Sequence, residues 1–148
     1  MNRRIVLDAG PLGRIAHPRP NRDIVLWVQQ ALGVGIEIII PEITDYEVRR
    51  SFLLAGLYKS IERLDLLKES FIYLPLNTSV MLNAAELWAA ARRVGQPTAD
   101  PKELDGDAIL AAQAIDVGAI VATENVGHLS RFVEARHWKD ISVAGHEQ

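Results

Sequence analysis

Two acidic residues, Asp105 and Asp107, open the most apolar helical segment of the sequence, which continues through residues 108–114. Asp105 is predicted as the N-cap and Asp107 as part of the first turn, where free backbone N–H groups and the helix dipole favour anions. Capping explains one carboxylate, but a second one nearby repels the first and raises the pKa of one of the two. A hard divalent cation would relieve this repulsion, since Mg²⁺ binds through one or two carboxylates together with water and phosphate oxygens. The pair is therefore interpreted either as helix-capping residues or as part of a metal site.

Further polar residues follow predicted strands. Asp8 ends the first strand, Glu47 lies in the helix after the second, and Thr123 and Asn125 follow the fourth. Ligands of open parallel sheets bind beyond the carboxyl ends of the strands, near the point where strand order reverses. We therefore expect these side chains to meet at one edge of one sheet.

Each position also has a purely structural interpretation. Asp8 suits an Asx turn before Gly10, Glu47 suits pairing with Arg50 or Ser51 on a solvated helix face, and Asn125 suits a loop that needs its backbone satisfied. Independent structural roles would not be expected to place every acid at one sheet edge, so their joint placement favours a metal site. Carboxylates without cysteine or a histidine cluster suit Mg²⁺ or Mn²⁺ rather than Zn²⁺. Such ions promote phosphodiester hydrolysis by activating water and neutralising phosphate.

The elements that must position these residues alternate between strand and helix. Apolar and β-branched runs predict buried strands, and apolar residues at helical spacing between caps predict helices. This pattern predicts a three-layer α/β/α sandwich with a central parallel sheet of about five strands in a single domain, 1–148. The predicted strands are 3–7, 36–40, 71–74, 119–122 and 141–143. The predicted helices are 21–33, 42–54, 57–68, 78–94, one opened by Asp105 and a short one at 129–135, with loops at 9–20, holding at most one helical turn, and 96–102.

Composition bounds the class of protein. The chain has 148 residues, 49% of them hydrophobic, which fits one globular domain. It has no cysteine, which excludes disulfides, thiolate metal sites and cysteine nucleophiles. No apolar run reaches the length of a membrane span or signal peptide, so we expect a soluble, cytoplasmic protein. A net charge of −3 argues against binding nucleic acid by bulk charge alone, but not against an enzyme that brings phosphate to a metal.

Basic and apolar residues outside the acidic positions carry weaker signals. The positive charges near Asp8 and Glu47 suit contacts with nucleic-acid phosphates, although a solvated surface explains them as well. An apolar run where two predicted helices meet exceeds what one helix face needs to bury and predicts self-association. The basic residues are Arg14, His17, Arg19, Arg22, Arg49 and Arg50, and the apolar ones are Phe52, Leu53, Leu54, Leu57 and Tyr58.

Four segments, 5–12, 41–50, 104–112 and 120–125, together resemble the PIN-domain nucleases, the family that includes VapC-type toxin ribonucleases. The resemblance covers nearly the whole chain and implies cleavage of single-stranded RNA with Mg²⁺ or Mn²⁺. It implies that Asp8, Glu47 and Asp107 are the catalytic, metal-binding acids and that Asp105 is an additional ligand or a supporting residue. Thr123 matches a family threonine. Asn125 stands where many members carry a further aspartate, which makes the site less acidic.

The resemblance also implies partners, namely an RNA substrate, an antitoxin and a second copy of the chain in a homodimer. Two other classes were weighed. A phospho-receiver domain shares the architecture, but the third strand ends at Leu74 and Pro75 without a phosphorylatable aspartate, and no lysine follows the fifth. A non-catalytic PIN-like module that binds RNA or protein stays open as the alternative.

Overall fold

The computed structural model describes residues 3–95 and 101–143, with side chains of the second range from residue 104. The five strands are β1 (Arg4–Leu7), β2 (Glu37–Pro41), β3 (Ile72–Leu74), β4 (Ile120–Thr123) and β5 (Ala135–His137). The helices are α1 (Ala9–Ala16), α2 (Arg22–Gly33), α3 (Glu42–Ala55), α4 (Tyr58–Ser70), α5 (Thr78–Arg93), α6 (Pro101–Val117) and α7 (Val126–Leu129), and a 3₁₀ turn spans Trp138–Asp140.

The strands form one parallel sheet in the order β3-β2-β1-β4-β5. The chain leaves β1 for β2 on one side, and β4 later pairs with the other side of β1. The strand order therefore reverses between β1 and β4, and this places the expected crevice at their carboxyl ends.

Alternate residues of the central strands pack into cores on opposite faces of the sheet. Ile5 and Leu7 join a core with α1 and α2, whereas Val6 joins a second core with Leu110 of α6. Strands covered on both faces need apolar residues at every position, which explains why β1 and β2 read as continuous aliphatic runs. The three-layer α/β/α prediction is confirmed. None of the described helices is long and apolar enough to span a membrane.

Helix α1 is longer than the single turn expected from the sequence. It begins directly after Asp8, whose Oδ1 accepts a hydrogen bond from the Ala9 backbone N–H at 2.7 Å. Pro11 lies in the first turn, where a backbone N–H would have no acceptor within the helix, so the proline does not interrupt it. Asp8 is thus held between the end of a strand and the start of a helix.

Helix α6 begins at Pro101, four residues before the predicted cap. Proline is favoured at the first helical position, so Pro101 starts the helix rather than belonging to the loop. Asp105 and Asp107 consequently lie in the second turn, and their interpretation as capping residues is wrong. Of the predicted loop, residues 101 and 102 belong to α6 and the others lie outside the described residues.

The C-terminal elements also differ from the prediction. The short helix is α7, ending at Leu129, and the edge strand is Ala135–His137 rather than 141–143. Ile141 and Val143 are buried in the core beside α2, and the Ile141 carbonyl accepts a hydrogen bond from Trp27 Nε1 at 3.1 Å. Their apolar character therefore serves packing against a helix, whereas a three-residue strand with an exposed arginine gives almost no period-two signal.

Candidate active site

An open pocket of about 370 Å³ lies at the carboxyl ends of β1 and β4. The acids predicted from the sequence motif, Asp8, Glu47 and Asp107, all line it. They come from three different elements, so the structure brings together residues that the sequence separates widely. The other lining residues are Ala9, Gly10, Arg50, Ser51, Glu124 and Asn125.

Asp8 is fixed by hydrogen bonds to both carboxylate oxygens. Oδ1 accepts from Ala9, and Oδ2 accepts from the Thr123 hydroxyl at 2.7 Å. Thr123 is fully buried, and its Oγ1 also accepts from the Asn125 backbone N–H at 2.8 Å. Burial raises the pKa of Asp8, and the bonds from Thr123 and Ala9 only partly oppose it. Asp8 therefore caps α1 and lines the pocket at the same time, so its structural role does not remove it from the candidate site.

The pKa of Glu47 is strongly raised in the pocket. Burial and then the negative charge of Asp8 raise the pKa of Glu47 to about 7, with a smaller upward contribution from Asp107. The positive charge of Arg50 opposes the shift without cancelling it. Glu47 is therefore not on a solvated helix face, and the electrostatic field at its carboxylate favours an added proton or another cation.

Two glycines make room for carboxylates of the pocket. A β carbon at Gly106 would overlap Oε2 of Glu47, and one at Gly10 would lie 2.9 Å from Oε1 of Glu124. Neither glycine was assigned a role from the sequence, although a glycine inside α6 lowers helix stability and so needs a reason. At Gly106 the Glu47 carboxylate lies directly against the backbone of α6, in space that a β carbon would occupy.

Asp105 does not line the pocket, whereas Asp107 does. Residues two positions apart on an α-helix point about 200° away from each other, and Asp105 is exposed. The expected crowding of these two carboxylates is therefore absent, and the repulsion within the pocket instead involves Glu47 with Asp8 and Asp107.

Glu124 and Asn125 both line the pocket, although neighbouring side chains of an extended segment would point to opposite sides. The chain does not stay extended here, because Asn125 is the N-cap of α7. Burial raises the pKa of Glu124, but hydrogen bonds from Arg14 and Trp138 outweigh it and lower the pKa overall. Asn125 Nδ2 lies 3.3 Å from Nδ1 of His128.

The predicted basic residues fall into three places. Arg50 lines the acidic pocket and lies over the Tyr46 ring, 5.0 Å from its centroid. Arg14, His17 and Arg19 line an adjacent groove, whereas Arg22 lines neither this groove nor the pocket. Arg49 lines neither, because it forms ion pairs with Asp45 and Asp65 at 3.0 and 2.7 Å.

The donors of the pocket are carboxylate and amide oxygens, which are the ligands that Mg²⁺ and Mn²⁺ prefer. Within 3–95 and 101–143, no three acidic or histidine side chains are drawn together into a ready-made metal cage. The arrangement therefore suits a hard ion held by one or two carboxylates, with water or phosphate oxygens completing its coordination.

Comparisons with known proteins agree with this architecture. The family model described as PIN domain matches residues 5–132. Among solved structures, FitAcB from Neisseria gonorrhoeae is similar at 25% identity, covering 93% of this chain and 99% of that one, with a TM-score of 0.71. VapBC2 from Rickettsia felis, bound to a promoter DNA fragment, gives 15% identity, coverage of 91% and 98% and a TM-score of 0.75. VapBC-1 from nontypeable Haemophilus influenzae gives 19% identity, coverage of 93% of this chain and 99% of that one, and a TM-score of 0.70. No curated protein matches the sequence.

Proposed function

The chain belongs to the PIN-domain family, and from this membership we propose that it is a metal-dependent endoribonuclease that cleaves phosphodiester bonds of single-stranded RNA. The observation that supports this most directly is that Asp8, Glu47 and Asp107 line one pocket, where burial and the charges of the other two acids raise the pKa of Glu47. A structural role alone would not require three carboxylates to share one crevice.

The metal ligands would come from Asp8, Glu47 and Asp107, with one or two of these carboxylates binding the ion directly and the rest acting through water, and the Asn125 amide would be a neutral oxygen donor. A bound Mg²⁺ or Mn²⁺ supplies an activated water and neutralises charge on the phosphate. The hydrogen bond from Thr123 keeps the Asp8 carboxylate in one orientation toward the pocket. We leave Asp105 out of the ligand set because it is exposed and outside the pocket.

Arg50 is the cation that lines the acidic pocket. Its charge lowers the pKa of Glu47 and so favours the ionised carboxylate that a metal requires. In the proposed enzyme it also attracts the RNA phosphate toward a pocket that is otherwise negative. Arg49 has no such role in the proposal, because its guanidinium is engaged by Asp45 and Asp65.

The decisive experiment is cleavage of a labelled single-stranded RNA in Mg²⁺, in Mn²⁺ and in EDTA. Cleavage is expected with either metal, absent in EDTA, and reduced at least a hundredfold by Asp8→Asn, Glu47→Gln or Asp107→Asn. Asp116→Asn, which removes an exposed carboxylate from the last turn of α6, is the matched control and is expected to retain activity. RNA that is bound in Mn²⁺ but never cleaved would instead support the non-catalytic PIN-like module.

We also propose that the chain is the toxin of a toxin–antitoxin pair, with an antitoxin protein as its partner. Support comes from the similarity to FitAcB and to the VapBC structures across almost the full length of each matched chain. Co-purification with the product of an adjacent gene, together with suppression of RNA cleavage by that product, tests the pairing.

A homodimer is proposed on the apolar surface where α3 meets α4. Leu54 is 92% exposed and Tyr58 66% exposed, with Leu53 and Leu57 about half exposed beside them, whereas Phe52 is half-buried. Large apolar side chains concentrated this way are typical of an interaction surface. Sedimentation at micromolar concentration should give a dimer that Leu54→Lys weakens, and a wild-type monomer would reject the proposal.

A further inference from the structure

A second groove, of about 590 Å³, adjoins the acidic pocket on the α1 side. The two share Gly10 and Glu124 as a common wall, so they form one continuous concave surface. The second groove is lined mainly by residues 10–21, together with Phe52 of α3.

The charge of this surface changes sign at the shared wall. Carboxylates dominate the pocket, whereas Arg14, His17 and Arg19 line the groove and are all exposed. Nδ1 of His17 lies 3.0 Å from the Arg19 backbone nitrogen and 3.2 Å from the Arg19 carbonyl oxygen, so the ring is held against the backbone of the groove. A polyanion reaching the acidic pocket is therefore attracted along the groove.

Arg14 is the one of these cations that is anchored to the protein core. Its Nε donates to Oε2 of Glu124, and the same oxygen accepts from Trp138 Nε1 at 3.1 Å. Trp138 is buried and packs edge-on against Trp27, with ring centroids 6.0 Å apart. The Glu124 carboxylate is thus held in place by a buried tryptophan. Among the described residues, Nη1 and Nη2 of Arg14 have no hydrogen-bond partner.

We propose that this groove is the subsite for the nucleotide next to the cleaved bond, an inference that rests on the proposed RNA cleavage. Arg14 binds the phosphate through its terminal nitrogens, and Glu124 is a positioning residue that fixes the guanidinium at the boundary between pocket and groove. Phe52, half-buried in the groove wall, offers an apolar surface to the base. Specific recognition of phosphate by arginine depends on such a fixed fork geometry.

The subsite is tested by equilibrium binding of a labelled single-stranded RNA of mixed sequence in EDTA, measured by fluorescence anisotropy over a range of salt concentrations. Arg14→Gln should weaken binding roughly tenfold and reduce the slope of log affinity against log salt by about 1. His17→Gln and Arg19→Gln should weaken it by smaller factors. Arg93→Gln, which removes an exposed charge from the end of α5, is the control for net charge. It should change the RNA affinity and the salt slope much less than Arg14→Gln does. A salt slope unaltered by Arg14→Gln would overturn the proposal.

The positioning role of Glu124 is tested by a double-mutant cycle. The loss of RNA affinity caused by Arg14→Gln should fall from about tenfold to about threefold or less when Glu124→Gln is already present. The reason is that the guanidinium is then no longer held in place. Arg14→Lys, which keeps the charge but not the fork, should recover only part of the binding. Equal costs of Arg14→Gln in both backgrounds would reject the positioning role.

Because binding is measured without metal, failure of the subsite and failure of the nuclease proposal give different results. Normal metal-dependent cleavage with RNA affinity insensitive to Arg14→Gln would reject the subsite and leave the nuclease. Groove-dependent binding without cleavage in either metal would reject the nuclease and leave a nucleic-acid site.

Discussion

Replacing Glu47 with glutamine is expected to stabilise the metal-free protein at pH 8 and to leave its stability nearly unchanged at pH 5. The pKa of Glu47 is raised from 4.5 to about 7 by burial, by Asp8 and by Asp107. Between these values the native state keeps a proton that the unfolded chain has lost, so the free energy of unfolding decreases as pH rises through this window. Glutamine has no proton to lose and avoids the decrease.

The size of the effect follows from the shift. At about 1.36 kcal/mol for each pKa unit, a rise from 4.5 to about 7 would cost the ionised native state roughly 3 kcal/mol without screening. Because Glu47 is only partly buried, solvent screening reduces this, and we expect about 1–2 kcal/mol at pH 8. For a domain of this size that corresponds to a rise in Tm of about 3–8 °C.

Urea unfolding in EDTA at the two pH values measures the difference, with Glu62→Gln on the exposed surface of α4 as the control. Adding Mn²⁺ at pH 8 should reverse the order, because the wild type gains stability by binding the ion and the Glu47→Gln variant gains less. The reasoning is refuted if Glu47→Gln destabilises the protein at pH 8, or if its effect is the same at both pH values.

Three other outcomes are expected. Gly106→Ala should reduce RNA cleavage while circular dichroism stays native, because the new β carbon forces the Glu47 carboxylate to move; full activity would contradict that close approach. The Asp105→Asn variant should cleave RNA at a rate within about twofold of wild type, whereas the Asp107→Asn variant should lose most of its activity. Equal losses of cleavage rate in the two variants would place Asp105 in the site. Asn125→Asp should tighten Mn²⁺ binding measured by calorimetry, since a hard ion gains affinity from each added anionic ligand, and unchanged binding would remove Asn125 from the ligand set.

The sequence was sufficient to predict the first four strands and the common location of Asp8, Glu47 and Asp107, because both follow from local patterns. Aliphatic runs ending in Asp8 or Thr123 identify strand ends, and the rules for parallel sheets bring those ends together. The start of α6 was missed because Pro101 suits a loop as well as the first position of a helix. β5 was missed because three residues are too few to show a period.

Other features of the site depend on tertiary geometry that no local pattern reports. The fit of Gly106 against Glu47 depends on how closely α3 approaches α6. The presence of both Glu124 and Asn125 in the pocket depends on the chain turning at the α7 cap. The basic groove was anticipated only as a patch of charge, since its shared wall with the pocket involves Gly10 and Glu124, which are far apart in the chain.

The hydrogen bond between Asp8 and Thr123 joins residues 115 positions apart. Contacts of such long sequence separation form late in folding, because the intervening chain must be ordered before its ends can meet. During synthesis, β1 and α3 leave the ribosome well before β4, so Asp8 and Glu47 exist for some time without the strand that completes their pocket. A nascent chain therefore cannot assemble the pocket until β4 has been made.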